Sequence, residues 1–306
     1  MTNTVAIKGV TKCYGAIEAV RDVSFDLPAG EAIALVGHNG AGKTTLLKLM
    51  LGLIQPTAGT IRVLGENPAA GEFAARRGLG YLPENVSFNA ALTGREILTF
   101  CARLKGEPVA KSLGLLDKVG LGPASARRVG TYSKGMRQRL GLAQALIGAP
   151  KILLLDEPTT GLDPALRLSF YKIVQELRNH GTTVVLSSHA LMEIEERTER
   201  VIIMNRGAMV AHGSIDELRR IASLPTRIRL KVSHGANGAM ATWLASVASW
   251  RQVNSRLIEI DAAPDQKIGL LRRATDPDAP FDDVEVMPPT LDELYAHFLQ
   301  TQGEPL

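Results

Sequence analysis

Two short segments carry residues whose types and spacing could do chemistry. Gly37-His38-Asn39-Gly40-Ala41-Gly42-Lys43-Thr44, followed by Thr45, has the full G-x-x-x-x-G-K-[ST] spacing of a phosphate-binding loop. Glycines let successive backbone N–H groups turn toward one point. A helix starting there adds its positive end, so the loop can hold phosphate oxygens. Lys43 would neutralise the outer phosphates, and the Thr44 hydroxyl would offer an oxygen to Mg²⁺. The second segment, Leu153-Leu154-Leu155-Asp156-Glu157, is an apolar run ending in two carboxylates. Asp156 suits a Mg²⁺ ligand, either direct or through water, and Glu157 suits a base that orients an attacking water. A lone Glu after a strand is usually a surface residue, and a phosphate loop alone can arise by chance. Together the two segments describe a nucleotide hydrolase.

These residues need elements that hold them. The apolar run Ala32–Val36 before the loop and Leu46-Leu47-Lys48-Leu49-Met50 after it predict strand, loop and helix in that order. Farther on, Ile152–Leu155, Ala165–His180, Thr183–Ser187, Leu191–Arg197 and Val201–Met204 alternate strand and helix, which predicts a mostly parallel sheet. Residues 4–27 alternate apolar and polar, as antiparallel strands do, with a turn at Pro28–Glu31 and a second hairpin through Gly59–Gly65. Between Thr93 and Ala149 the pattern is helical, with breaks at Gly106, Gly120 and Gly130. The character changes near Ser223-Leu224-Pro225. Strand patterns at Thr226–Val232, Leu257–Ile260 and Val284–Val286, each followed by a helical stretch, predict a small separate α+β domain.

Composition sets the frame. The chain has 306 residues, 45% hydrophobic and 22% charged, enough for a full core and about two domains. Its longest uncharged stretch, Val232–Trp250, is too polar to cross a bilayer, and Met1–Thr4 lacks the pattern of a signal peptide. Cys13 and Cys101 stand far apart, so neither a disulfide framework nor a zinc site is expected. The net charge of +4 reads as an ordinary solvated surface. Arg127, Arg128, Lys134, Arg137 and Arg139 gather locally, but no nucleic-acid partner is expected. A small GTPase is disfavoured by the lack of an N-K-x-D motif.

Between the two segments lies Tyr132-Ser133-Lys134-Gly135-Met136-Arg137-Gln138-Arg139-Leu140, at the start of a helix. Here the chain resembles the ATP-binding cassette (ABC) ATPases, whose signature is usually L-S-G-G-Q. Ser133 and Gly135 match, while Tyr132, Lys134 and Met136 depart from it. The resemblance continues through Gly161-Leu162-Asp163, Ser187-Ser188-His189 and Tyr14, and covers roughly residues 4–220. It implies a P-loop α/β fold with a RecA-like core, an antiparallel β subdomain and a helical subdomain near 90–149. The expected nucleotide-binding domain is 1–222, and an accessory domain follows at 225–306.

The resemblance also implies an ATPase, converting ATP and water to ADP and phosphate with Mg²⁺. Cassettes work in pairs, so Ser133 and Gly135 are expected to act on ATP held by the partner's loop, residues 37–45, while Asp163 matches the loop that communicates across the dimer. His189 matches the switch histidine that contacts the γ-phosphate, and Tyr14 would stack on adenine. Standing alone, Ser133 would read as a helix cap, His189 as a structural residue and Tyr14 as core. Glu84 falls where the family usually has Gln, touching Mg²⁺ or the water; a carboxylate there adds charge and loses an amide donor. The expected partners are a second copy and a separate integral membrane permease, on the cytoplasmic face of a bacterial inner membrane. A soluble ABC ATPase acting on ribosomes or nucleic acid is the rival, against which stands the absence of paired cassettes and coiled-coil insertions.

A narrower likeness also exists. Gly37-His38-Asn39-Gly40-Ala41-Gly42, Tyr81-Leu82-Pro83-Glu84-Asn85-Val86-Ser87-Phe88 and Tyr132–Leu146 together look like the ATPase subunits of transporters that mature the copper sites of nitrous oxide reductase, and Pro288-Pro289-Thr290-Leu291-Asp292-Glu293-Leu294-Tyr295 also fits them. That likeness implies a copper or sulfur cargo and a periplasmic partner reached through the permease. Generic drug or lipid export is the alternative.

Overall fold

A computed structural model describes residues 3–70, 76–247 and 249–301. It divides into two compact units, Met1–Ser214 and Ile215–Leu306. In the first, strands β1 (Asn3–Tyr14) and β2 (Ile17–Pro28) form an antiparallel pair, and β4 (Ala58–Val63) joins β1 on its other edge. The segment Gly59–Gly65, expected to be a hairpin, is mainly this third strand. Its turn at Leu64 and Gly65 closes only a single bridge between Val63 and Glu66.

Among the described residues a six-stranded sheet forms the centre of this unit. Its order is β5 (Leu79–Leu82), β6 (Ile152–Asp156), β7 (Thr183–Ser188), β3 (Ala32–Val36), β8 (Arg200–Asn205) and β9 (Ala208–Ser214). Pairing is parallel from β5 through β8, and β9 closes the edge antiparallel. The continuous apolar runs of β3 and β6 are buried along their whole length, as strands covered on both faces must be. Helices α1 (Lys43–Met50) and α5 (Pro164–Asn179) bury Leu46, Leu47, Leu49 and Met50, and Phe170, Tyr171, Ile173 and Val174 respectively. Strands β6, β7 and β3 are neighbours. Their carboxyl ends release Asp156, Ser188 and the phosphate loop side by side, where open α/β sheets place ligands.

Helices α2 (Gly94–Lys105), α3 (Val109–Lys118) and α4 (Lys134–Ala145) make the helical part. Thr93 starts α2 with a reciprocal cap to Glu96. Tyr132, where the signature usually has Leu, is buried, and its hydroxyl donates to the Ala124 carbonyl at 2.7 Å. Arg137 and Arg139 from the basic cluster donate to backbone carbonyls of Tyr132 and Gly120.

In the second unit, β10 (Thr226–Val232), α8 (Asn237–Leu244), β11 (Trp250–Asn254), β12 (Leu257–Ala262), α9 (Lys267–Ala274) and β13 (Phe281–Met287) follow one another. The sheet order β11-β12-β10-β13 is that of a split β-α-β fold with all pairs antiparallel. Ile228, Leu230, Val232, Ile258 and Ile260 form its core. On the opposite face the Glu259 carboxylate, nearly fully buried, is held by Arg229 and Arg251. The hydrogen bond from Arg229 keeps it below the usual carboxylate range.

The expected domain boundary near 222 is corrected by one helix. Residues Ile215–Ala222 (α7) belong with the second unit, because Leu218 is buried there and Arg219 donates to the Pro289 carbonyl at 2.9 Å, next to α10 (Leu291–Gln300). Strand β11 was not foreseen either. All five of its residues are exposed, so it lacks the alternation that marks a half-buried strand.

Candidate functional site

Gly42 has φ 102° and opens α1, and a Cβ there would lie 2.4 Å from the Ala19 carbonyl oxygen. Only glycine meets both demands, so the turn that aims the loop N–H groups is written in that residue. Gly40, φ 87°, takes the left-handed conformation in open space. His38 Nε2 lies 2.8 Å from Asn205 Oδ1 at the end of β8, which ties the loop to the neighbouring strand.

The Lys43 side chain is buried in this cradle. Its ammonium donates to the carbonyls of Gly37 at 2.5 Å and His38 at 3.3 Å, and lies 3.8 Å from Glu157 Oε1. Burial pulls the ammonium below its ordinary value, while Glu157, Asp156 and Glu84 pull it upward. Asp156 takes two hydroxyl donors: Thr44 at 2.9 Å to Oδ2 and Ser187 at 2.6 Å to Oδ1. Ser187 Oγ in turn accepts from the Glu157 N–H at 2.9 Å. Glu157 has φ 46°, a left-handed conformation costing about 1–3 kcal/mol for a side-chain-bearing residue. The Ser187 hydroxyl and carbonyl hold its N–H and so support that conformation. Its Oε2 accepts from His189 Nδ1 at 2.8 Å. His189 itself is largely exposed, at the end of β7.

A cavity of about 670 Å³ lies over the loop, a size suited to a small-molecule ligand. Its walls gather Tyr14, His38 through Thr45, Glu84, Asp156 and Glu157. Gly37 and His189 join through the hydrogen bonds above. Tyr14 is half exposed on this wall with Lys12 5.1 Å from its ring, so it is no core residue. Ile17, Glu18, Ala19 and Arg206 also line the cavity and escaped the sequence reading. The turn Arg206-Gly207 after β8 was the one available signal.

Ser133, Gly135 and Asp163 are not among the lining residues. Ser133 is exposed and caps α4, accepting from the Met136 N–H at 3.2 Å, and Asp163 caps α5, accepting from Leu166 N–H at 2.9 Å.

The donor set fits Mg²⁺ and a nucleotide. Asp156, Glu84 and Glu157 put three carboxylates beside one ammonium. Tyr81, nearby, is pushed up to about 12 by burial and then by Asp156 and Glu84. The buried Glu157 Oε1 has no hydrogen-bond partner among the described residues, as expected of an acceptor waiting for a donor.

The comparisons agree with this geometry. The family model for "ABC transporter" matches residues 20–160. The Bacillus subtilis ABC transporter ATP-binding protein YxlF, itself uncharacterised, is 43% identical over 220 residues, 71% of this chain and 72% of that one. The linearmycin resistance ATP-binding protein LnrL, also of Bacillus subtilis, is 32% identical over 298 residues, 94% and 96% of the two chains. The dimeric post-hydrolysis state of the ATP-binding cassette MJ0796, bound to ADP and Pi, superimposes with a TM-score of 0.64 at 26% identity, covering 69% and 98%.

Fold and site together define a P-loop ATPase. The chain belongs to the ATP-binding subunits of ABC transporters. It is therefore an ATP-hydrolysing protein that binds ATP with Mg²⁺, of a family whose ATPase domains dimerise and pair with membrane permease subunits. No helix among the described residues is long and apolar enough to cross a membrane.

Proposed function

We propose that this chain is the motor of a small-molecule exporter, closing as a homodimer around two ATP and driving a permease on a separate polypeptide at the cytoplasmic face of the membrane. The alignment with LnrL carries the reading. It runs through the second unit as well as the cassette, and that relative is a resistance ATP-binding protein. Copper-site maturation, with its periplasmic partner, draws on Tyr81–Phe88 and Pro288–Tyr295. The relatives above offer it no support.

In this reading Gly37 through Thr45 bind the phosphates, with Lys43 balancing their charge, and Tyr14 stacks on the base. Thr44 and Asp156 hold Mg²⁺, with Glu84 at its edge; the ion supplies charge neutralisation at the phosphates. Glu157 orients the water and takes its proton, and His189 holds Glu157 at Oε2 and reaches the γ-phosphate. Ser133 and Gly135, at the exposed N-terminus of α4, serve the ATP of the partner, as does Asp163.

Glu84 tests the local electrostatics. Glu84→Gln removes one negative charge, so it raises the Mg²⁺ concentration for half-maximal turnover by roughly two- to fivefold, the scale of one exposed charge. Superimposable Mg²⁺ titrations of the two proteins would reject a role at the metal.

A pull-down of tagged Glu157→Gln protein from its native membranes with Mg-ATP tests the assignment. Recovery of a polytopic permease that, with this chain, moves an amphiphilic drug into inverted vesicles supports it. Recovery of ribosomes or nucleic acid alone rejects the transport role and leaves the ATPase chemistry standing.

A further inference from the structure

Outside the phosphate cavity, one carboxylate joins the segments that carry His189 and Asp163. The chain leaves β6 at Glu157, crosses Pro158–Leu162 as irregular backbone with Gly161 at φ 78°, and enters α5 at Asp163. Glu193 lies on α6 (Leu191–Glu195), just beyond His189. Its Oε2 accepts from the Thr159 hydroxyl at 3.4 Å, in the loop, and from the Tyr171 hydroxyl at 3.3 Å, on α5. Its Oε1 pairs with the Arg167 guanidinium, and Arg167 Nε donates to the Leu162 carbonyl at 3.0 Å, one residue before Asp163.

Each partner is suited to this task. Tyr171 is buried, and burial followed by the Glu193 charge pushes its hydroxyl up to about 12, so it stays a donor. Arg197 sits 4.9 Å over the Tyr171 ring, adding a cation against its face. The Arg167 fork reaches a carboxylate and a carbonyl from two fixed, planar nitrogens, a geometry that a single lysine ammonium does not reproduce.

We propose that Glu193 is a positioning residue for hydrolysis. With Arg167 it clamps the loop before Asp163 to the segment after His189, so the two switch elements move as one body. A residue of this loop facing the second subunit is thereby linked to the histidine that holds the base. The proposal rests on the assignments of Glu157, His189 and Asp163 above.

The test is a double-mutant cycle in the full chain, with Glu193→Gln, Arg167→Met and the double variant. Steady-state ATPase gives kcat, KM and the Hill coefficient, and a thermal melt accompanies each. A clamp predicts that each single variant loses roughly 10–100-fold in kcat, the scale of a misplacement of about 1 Å. KM stays within about twofold, the Hill coefficient falls toward one, and the double variant is no worse than the poorer single. Arg167→Lys keeps the charge but not the fork and should also lose kcat, which serves if a neutral variant fails to fold. Additive losses, an unchanged kcat, or a Tm drop with the Hill coefficient intact would overturn the clamp. Glu157→Gln, measured alongside, reports on the base assignment separately: if it keeps its turnover, that assignment fails whatever the cycle shows.

Discussion

Glu157→Gln binds Mg-ATP, dimerises and loses at least ~10²-fold in turnover, the lower end of what a positioned base contributes. The amide matches the carboxylate in size and can sit in the same place, close to Lys43 and His189. It cannot take a proton from water. Its backbone N–H keeps both contacts to Ser187, so the left-handed turn survives and the loss belongs to chemistry rather than folding. Phosphate release and size-exclusion chromatography, each with Mg-ATP, check the two halves. A variant that turns over at the parent rate removes Glu157 as the base. One that neither turns over nor binds shows that the carboxylate is needed to hold the site together.

Lys43→Met lowers ATP affinity by roughly 10–100-fold, since a hydrogen bond to a charged group contributes about 1.5–3 kcal/mol. The side chain keeps its length and buried volume but loses the ammonium set among the carbonyls of Gly37 and His38 and the buried Glu157 carboxylate. Stability should change little. The substitution removes a cation that burial already disfavours, yet it leaves Glu157 Oε1 farther from any positive charge. Titration with a fluorescent ATP analogue at fixed ionic strength measures the affinity, and a melt without nucleotide measures the fold. Equal affinity of parent and variant would mean that backbone N–H groups alone hold the phosphates.

Some features were readable because they are local. Glycine spacing before Lys43 reports a backbone turn, and four apolar residues before Asp156 report a strand covered on both faces. Neither needs a distant neighbour. Ser133 was equally visible as a cap, since N-caps are set by the residues that follow them within one turn. Patterns failed where an element owes its place to partners far along the chain. Strand β11 has no buried face and exists through its ladder with β12. Helix α7 looks like the tail of the first domain, and only its packing beside α10 assigns it to the second.

By itself the sequence determined the chemistry on offer: a phosphate loop, a Mg²⁺ carboxylate, a base and the alternation of strand and helix that carries them. The phosphate loop, the Mg²⁺ carboxylate and the base are each encoded in a run shorter than ten residues, where backbone freedom and charge act directly, and the alternation shows in the period of each segment. Tertiary structure decided which of these meet. Placing β6, β7 and β3 side by side brings Ser187 onto both Asp156 and Glu157, and His189 onto Glu157, across sequence gaps that no local rule bridges. It likewise put Glu193 against Arg167, Tyr171 and Thr159, a meeting invisible in the sequence because hydrogen bonds act over a few ångströms in space, whatever the distance along the chain.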